Sequence, residues 1–382
     1  MTSIALPGGR KGIRDHLANL HWPLILMLAM IASAGVLTLY SVAGGSWSPW
    51  ASQHAFRFVI ATVLLIVIGL ISIRYWMSLA YPIYALALIA LALVPVIGET
   101  HMGAQRWLEF GGVQFQPSEA MKIGLVMALA RYYHDIRVEQ VSHFLYLIPP
   151  IFMIGAPVGL VFIQPDLGTA LLLGASGVSL VFLAGLSWRI GFVGLLMAIA
   201  GAYSAYRFNI LKPYQLERIF TFLDPERDPL GQGYHLTQSK IGLGSGGLDG
   251  KGFMEGSQSQ LKFLPEMQTD FIFTIFGEEF GFIGAIFLLL LYLSVIMTSI
   301  NIALRARSHF ARLLTMGVVV TFALYVLINT GMVMGLAPVV GVPLPLVSYG
   351  GTVMLTIMTA FGLVMSAHMS REQDSGSGIS SL

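Results

Sequence analysis

Charged side chains are scarce in these 382 residues, so the few beside long apolar runs carry most of the chemical information. Asp270 sits in Gln268–Thr269–Asp270–Phe271 at the mouth of an apolar run, with Glu278 and Glu279 about two turns further in. Glu119 follows Gln116–Pro117–Ser118, and Lys122 comes three residues later, on the same helical face. Asp166 lies in Gln164–Pro165–Asp166–Leu167–Gly168–Thr169. A carboxylate screened from bulk water can accept a proton from a hydroxyl or ligate a divalent cation. The cations to weigh with them are Arg106, beside Trp107, and Lys240, Lys251 and Lys262 in a glycine-rich stretch. An arginine fork is suited to a phosphate.

Each of these residues also has a purely structural use. Proline suits a first helical turn, and a carboxylate there meets the positive end of the helix dipole. Glu119 and Lys122 therefore serve equally as an ion pair anchoring a helix end or as a pair facing a polar cavity. A charge at the bilayer centre costs roughly 2.5–3.5 kcal/mol, which either use must offset. Asp270 fits a helix N-cap, and Asp166, taken alone, is more simply a carboxylate in a tight turn at a helix start. Trp107 has the character of an interfacial belt residue. Glu278 and Glu279 require a wet or paired environment, which favours a cavity along the outer half of their helix. The run IGLGSGGLDGKG lacks the Lys-Ser/Thr of a phosphate-binding Walker loop. Its default state is a flexible loop, although exposed N–H groups on glycine backbone can cradle anions. Ser348, after Pro343 and Pro345, is placed to cap the last apolar run.

The elements that must position these groups are membrane helices. Hydrophobic residues make up 56% of the chain and charged residues 10%, against about 25% charged in soluble domains. A net charge of +2 with no basic tract argues against nucleic acid. There is no cysteine, and the nine histidines show no HExxH spacing. The first apolar run, 22–42, exceeds the roughly 7–15 residues of a signal-peptide core and approaches the ~20 needed to span a bilayer. Nine more follow near 55–73, 78–97, 116–134, 142–163, 167–186, 189–207, 271–299, 310–336 and 348–368. Pro149, Pro150 and Pro157 predict a kinked helix over 142–163. The expected fold is thus all-α: a polytopic integral membrane protein of about ten transmembrane helices, with one large extracytoplasmic loop between helices 7 and 8. Residues 1–382 form one membrane domain, with a cytoplasmic N-terminus 1–21, the loop 208–269 and a cytoplasmic tail 369–382. Orientation follows the positive-inside rule. Arg10, Lys11, Arg14, Arg74, Arg131, Arg137, Arg189, Arg305, Arg307, Arg312 and Arg371 fall on one side; Arg106 lies in a short loop on the other, with Arg57 near the boundary.

Five blocks carry a family resemblance: GAQRWLEFGGVQFQPSEAMK, QPDLGTA, RIFTFLDPERDPLGQGYHLTQSKIGLGSGGLDGKG, FLPEMQTDFIFTIFGEEFGFIGA and VVGVPLPLVSYGG. The chain resembles the SEDS family (shape, elongation, division and sporulation). VPLPLVSYGG and SGGLDGKG are closer to its elongation branch than to its division branch. The resemblance implies a peptidoglycan glycosyltransferase that polymerises lipid II on the outer face of the cytoplasmic (inner) membrane, with undecaprenyl diphosphate as leaving group. It implies a class B penicillin-binding protein transpeptidase and the elongation machinery as partners. It places the essential aspartate at Asp270, with Glu119 and Lys122 facing the same cavity. Trp107, Arg106, Asp166 and Lys240 become substrate-contacting positions, and Asp270 and Glu119 the ligands for a weakly held Mg²⁺ or Mn²⁺. A lipid II flippase and a non-catalytic scaffold for the transpeptidase are the competing expectations. Polar residues gathered toward one face favour chemistry over transport.

Overall fold

The structure is a computed structural model and describes residues 13–101, 104–110, 113–208, 213–224, 227–228, 231–261 and 263–376. Several expectations therefore lie outside the described residues: Arg10 and Lys11, Gly103 of the first block, Lys262, and the last six residues of the tail.

Local hydrophobicity decides the elements. A short helix α1 (Ile13–Ala18) leads into α2 (Trp22–Val42), α3 (Trp50–Leu70) and α4 (Ile73–Ile97). Strands β1 (Glu99–His101), β2 (Ala104–Phe110) and β3 (Val113–Phe115) follow, and then α5 (Pro117–His134), α6 (Val138–Val141), α7 (Phe144–Ile163), α8 (Leu167–Leu183) and α9 (Trp188–Arg207). The long polar segment holds α10 (Pro213–Leu223), α11 (Gln232–Ser245) and α12 (Ser257–Gln260). The chain closes with α13 (Ile272–Arg305), α14 (His309–Met334) and α15 (Gly351–Gly376).

Among the described residues, eight of these helices are long and apolar enough to cross a membrane: α2, α3, α4, α7, α9, α13, α14 and α15. The protein is a multi-pass membrane protein. Two of the expected spans fall short on their own. α8 has 17 residues, and α5 carries Glu119, Lys122 and Arg131. α5 is enclosed by α4, α8 and α14, whereas α8 packs on α7, α14 and α5 with one apolar face (Leu171, Val178, Phe182) left exposed. A helix shielded by protein does not need a lipid-grade surface, so it can carry charge at depth. The helices also run past the apolar runs that announced them. α3 begins at Trp50 with Ser52, Gln53 and His54 in its first turns; Ser52 and Gln53 are exposed, and His54 is buried with Nε2 on the Leu346 carbonyl at 2.9 Å. α7 runs as one helix through its three prolines.

The interruption falls instead in α13. Gly281 has φ 65° and ψ −168°, a left-handed backbone that other residues adopt only with strain. A broken helix leaves carbonyls and N–H groups unpaired, and lipid offers them no partners. The glycine-rich stretch supplies them. Phe282 and Ile283 donate to the carbonyls of Gly247 and Leu248 (2.9 and 3.1 Å), and Lys251 and Gly252 donate to those of Glu278 and Glu279 (3.0 and 3.1 Å). Gly250 also has positive φ and lies where a Cβ would meet the Glu279 backbone. So IGLGSGGLDGKG is not a loose loop: its first half ends α11, and its second half is spliced into the break.

The same splice accounts for the two deep glutamates. Glu278 is fully buried and accepts from Lys251 Nζ (2.6 Å), the Ser257 hydroxyl (2.8 Å) and the N–H groups of Ser257 and Gln258 (both 3.0 Å). Glu279 accepts from Ser41 of α2. Glu278 is thus fully paired and pins residues 251–258 to α13, whereas Glu279 keeps one oxygen, Oε2, buried without a protein partner.

Candidate active site

The site is built on one face of α14. Tyr325, Asn329 and Val333 recur every four residues and so stack along one side of the helix. Tyr325 reaches α5. There Lys122 Nζ donates to Glu119 Oε1 at 2.6 Å and also to the Tyr325 hydroxyl, which in turn donates to Glu119 Oε2 at 3.0 Å. The ammonium also lies 4.5 Å from the centre of the Tyr325 ring. All three residues are at most 3% exposed. The group is a closed, charge-balanced triad that uses both Glu119 oxygens.

One turn along, Asn329 Nδ2 donates to the carbonyls of Asp270 (2.9 Å) and Val342 (2.7 Å). A further turn on, the Val333 carbonyl accepts from Ser239 of α11, whose hydroxyl also pairs with Thr274 at 2.7 Å. Opposite α14, the proline-rich segment closes on the residues just before Asp270. The Ser348 hydroxyl donates to the Thr269 carbonyl (2.5 Å) and accepts from Leu344 N–H (2.7 Å), and Tyr349 N–H donates to the Gln268 carbonyl (2.7 Å). Ser348 is thus a clamp between two segments rather than a helix cap. The backbone around Asp270 is held from two sides.

Asp270 does not cap α13. The N-cap position is Phe271, and no side chain caps that helix. The carboxyl group is left over for chemistry. It lies against Gly341, where an added Cβ would approach its Oδ2 to 3.4 Å. Burial raises its pKa to about 6; the charges of Glu266 and Asp166 add to the rise, while Arg218 and Arg106 oppose it. These five charged residues thus form one electrostatic neighbourhood drawn from α10, β2, the start of α8 and the approach to α13.

Arg106 enters it from the small antiparallel sheet, which the apolar pattern did not announce. Its guanidinium donates to the Pro165 carbonyl and lies 3.8 Å from Asp166 Oδ2. Its Nε is buried without a protein partner. Asp166 is the N-cap of α8, with Oδ1 accepting from Thr169 N–H at 3.2 Å. It therefore has both the structural use expected of it and a place beside Asp270. Because successive side chains on a strand alternate faces, Trp107 points away from the face on which Arg106 meets Asp166. Lys240, on α11, lies over Gly335 at the carbonyl end of α14, a favourable place for a cation. The structure thus brings together Asp270, Asp166 and Arg106, places Glu119 and Lys122 one turn of α14 away, and sets Trp107 and Lys240 apart.

Four residues with roles here were not singled out from the sequence. Arg218 and Glu266 lie in the stretches RIFTFLDPERDPL and FLPEMQTD, where neither their type nor their spacing sets them apart from the other charged residues. Tyr325 and Asn329 lie in an apolar helix and read as packing. Among the described residues no three His, Cys, Asp or Glu side chains are grouped as a metal site would require. Glu119 is committed to Lys122 and Tyr325, so a divalent cation does not fit there.

Comparison with known proteins places this architecture. The cell-cycle protein family of FtsW, RodA and SpoVE matches residues 16–373. The chain belongs to that family, the SEDS proteins. It is 42% identical to the peptidoglycan glycosyltransferase MrdB of Escherichia coli K12 over 351 residues, 91% of this chain and 93% of that relative. The fold is shared with the rod shape determining protein RodA of Thermus thermophilus at TM-score 0.69 and 29% identity, covering 93% of this chain and 98% of that one. It is also shared, at TM-score 0.81 and 33% identity, with a chain of a peptidoglycan synthase complex that coordinates polymerization and crosslinking, covering 93% and 99%. These likenesses join the SEDS chain to the RodA branch that its VPLPLVSYGG and SGGLDGKG variants suggested.

Proposed function

We propose that this SEDS protein is a peptidoglycan glycosyltransferase of the elongation type. It polymerises lipid II on the outer face of the cytoplasmic membrane, as a single membrane domain whose 208–269 segment faces outward. The observation that carries the assignment of the site is an aspartate with its carboxyl uncommitted. Asp270 caps nothing, is held by its backbone from two sides, and has a proton affinity raised toward neutrality.

The chemistry follows from that placement. The acceptor sugar's 4-hydroxyl oxygen attacks the donor's anomeric carbon. Asp270 takes the hydroxyl proton, and the bond to the lipid diphosphate breaks with its electron pair on the departing oxygen, inverting the centre. Arg106 and Arg218 supply positive charge to the leaving diphosphate. The Glu119–Lys122–Tyr325 triad positions α5 and α14 beneath the site, and the lipid-facing grooves between helices take the polyprenyl chains. Were a Mg²⁺ or Mn²⁺ to accompany the substrate, Asp270 would be the residue to hold it and the ion would add positive charge for the leaving diphosphate. A class B penicillin-binding protein crosslinks the product; the relative's synthase complex supports that partner.

Purified protein given lipid II in detergent, with its partner, tests the assignment. Glycan polymer should form and should fall at least about 100-fold in Asp270→Asn, the lower range for losing a general base. Wild-type protein that makes no polymer yet moves lipid II across vesicles would establish the flippase instead. Undiminished rescue of rod shape by Asp270→Asn would establish the scaffold.

A further inference from the structure

A polar cavity lies at the end of the bundle opposite Asp270. α13 starts beside Asp270 and ends at Arg305. α2 meets Glu279 at Ser41 near its end, so its start at His21 is at the far side. α15 begins just after Tyr349, which bonds the Gln268 carbonyl, so His368 is also at the far side. Between these three helix ends is a cavity of about 260 Å³ lined by His21, Thr298, Asn301, Ile302, Arg305 and His368. One water molecule takes about 30 Å³, so the space exceeds that of a few trapped waters.

Apart from Ile302, each side chain lining it can donate a hydrogen bond. Thr298, Asn301 and Arg305 recur at three and four residues and form one polar stripe on the last turns of an otherwise apolar helix. His21 Nδ1 accepts from Leu24 N–H at 3.3 Å, which leaves the proton of the neutral ring on Nε2. His368 meets that ring edge-on, 5.2 Å between centres. Among the described residues that line the cavity, none is acidic. The carbonyl end of α13 is unfavourable to an anion, but Arg305 in its last turn and the N-terminus of α2 work the other way. Exposed apolar side chains flank the opening on the same two helices: Trp22, Met297 and Leu304.

We infer that this cavity binds the phosphate of an anionic phospholipid in the leaflet opposite the Asp270 site, with the acyl chains along the exposed faces of α2 and α13. Basic pockets between helices at a membrane face recognise such headgroups. The flanking apolar surface selects a lipid over a free phosphate ion.

Native mass spectrometry of the full chain in detergent, titrated separately with phosphatidylglycerol, phosphatidylcholine and inorganic phosphate, tests this. One phosphatidylglycerol should bind at least about fivefold more tightly than phosphatidylcholine. Arg305→Gln should weaken it by about fivefold, the effect of one arginine at a membrane surface, and His368→Gln, which loses a ring N–H donor, should weaken it in the same direction. Helical content by circular dichroism identifies the folded variants, and His368→Gln carries the test if Arg305→Gln does not fold. Equal binding of the two lipids, or variants that bind phosphatidylglycerol like the wild type, would overturn the proposal. Displacement of the lipid by an equal concentration of phosphate would reassign the cavity to a free anion.

Discussion

At the scale of single residues the site turns on one buried carboxyl group and the charges around it. Three carboxyl groups, Asp270, Glu266 and Asp166, face two guanidinium groups, Arg218 and Arg106. Burial keeps the proton on Asp270 to a higher pH than the 3.8 of a free aspartate, while the two neighbouring carboxylates and the two guanidinium groups act in opposite directions. Polymerisation should therefore rise with pH through about 6 as Asp270 becomes the free base. Glu266→Gln removes a like charge and should move that limb to lower pH, whereas Arg218→Gln should move it higher; rates measured from pH 5 to 8 distinguish the two. The stability consequence has a definite sign. The folded pKa exceeds the unfolded one, so protonation favours the fold. This carboxyl costs stability above about pH 6, and the cost is relieved as pH falls from about 6 to 4. The sequence showed Asp270 as the residue to watch, because an aspartate before an apolar run is a local signal. It did not show that Phe271 would occupy the N-cap and leave the carboxyl free, since that depends on how α14 and the 343–349 segment grip the backbone.

At the scale of elements, the apolar runs were legible because a bilayer imposes length and hydrophobicity on every crossing segment. Each run found its helix, including α5 and α8, which alone are too charged or too short. The polar segment was not legible in the same way. Glycine-rich sequence reads as loop, yet Gln232–Ser245 is helical and Gly246–Gly252 is the missing half of a broken helix. No local pattern announces a partner about thirty residues away. The splice makes a graded prediction for thermal unfolding in detergent. Gly281→Ala and Gly250→Ala should each lower stability by at least about 1–2 kcal/mol, the cost of left-handed backbone for a non-glycine residue. An added Cβ at either site also meets backbone from the other segment. Gly244→Ala, with nothing within 4 Å of the new methyl group, should be neutral or stabilise by about 0.5–1 kcal/mol.

At the scale of the whole molecule, orientation is open to a direct test because the chain has no cysteine. Single cysteines at Gln260 and Glu139, both exposed, can be labelled without background. A membrane-impermeant maleimide should modify Gln260→Cys in intact cells and Glu139→Cys only after permeabilisation; the reverse pattern would turn the site to the wrong compartment. The column on α14 then bears on the thickness of the surrounding bilayer. Tyr325 and Asn329 are four residues apart, so the ion-paired triad lies about 6 Å along the helix from the clamp on Asp270. That offset is set by covalent geometry and not by lipid. When the protein meets a thinner or thicker membrane it can tilt or draw lipids to its surface, but the spacing between its buried ion pair and its reactive carboxyl travels with it unchanged.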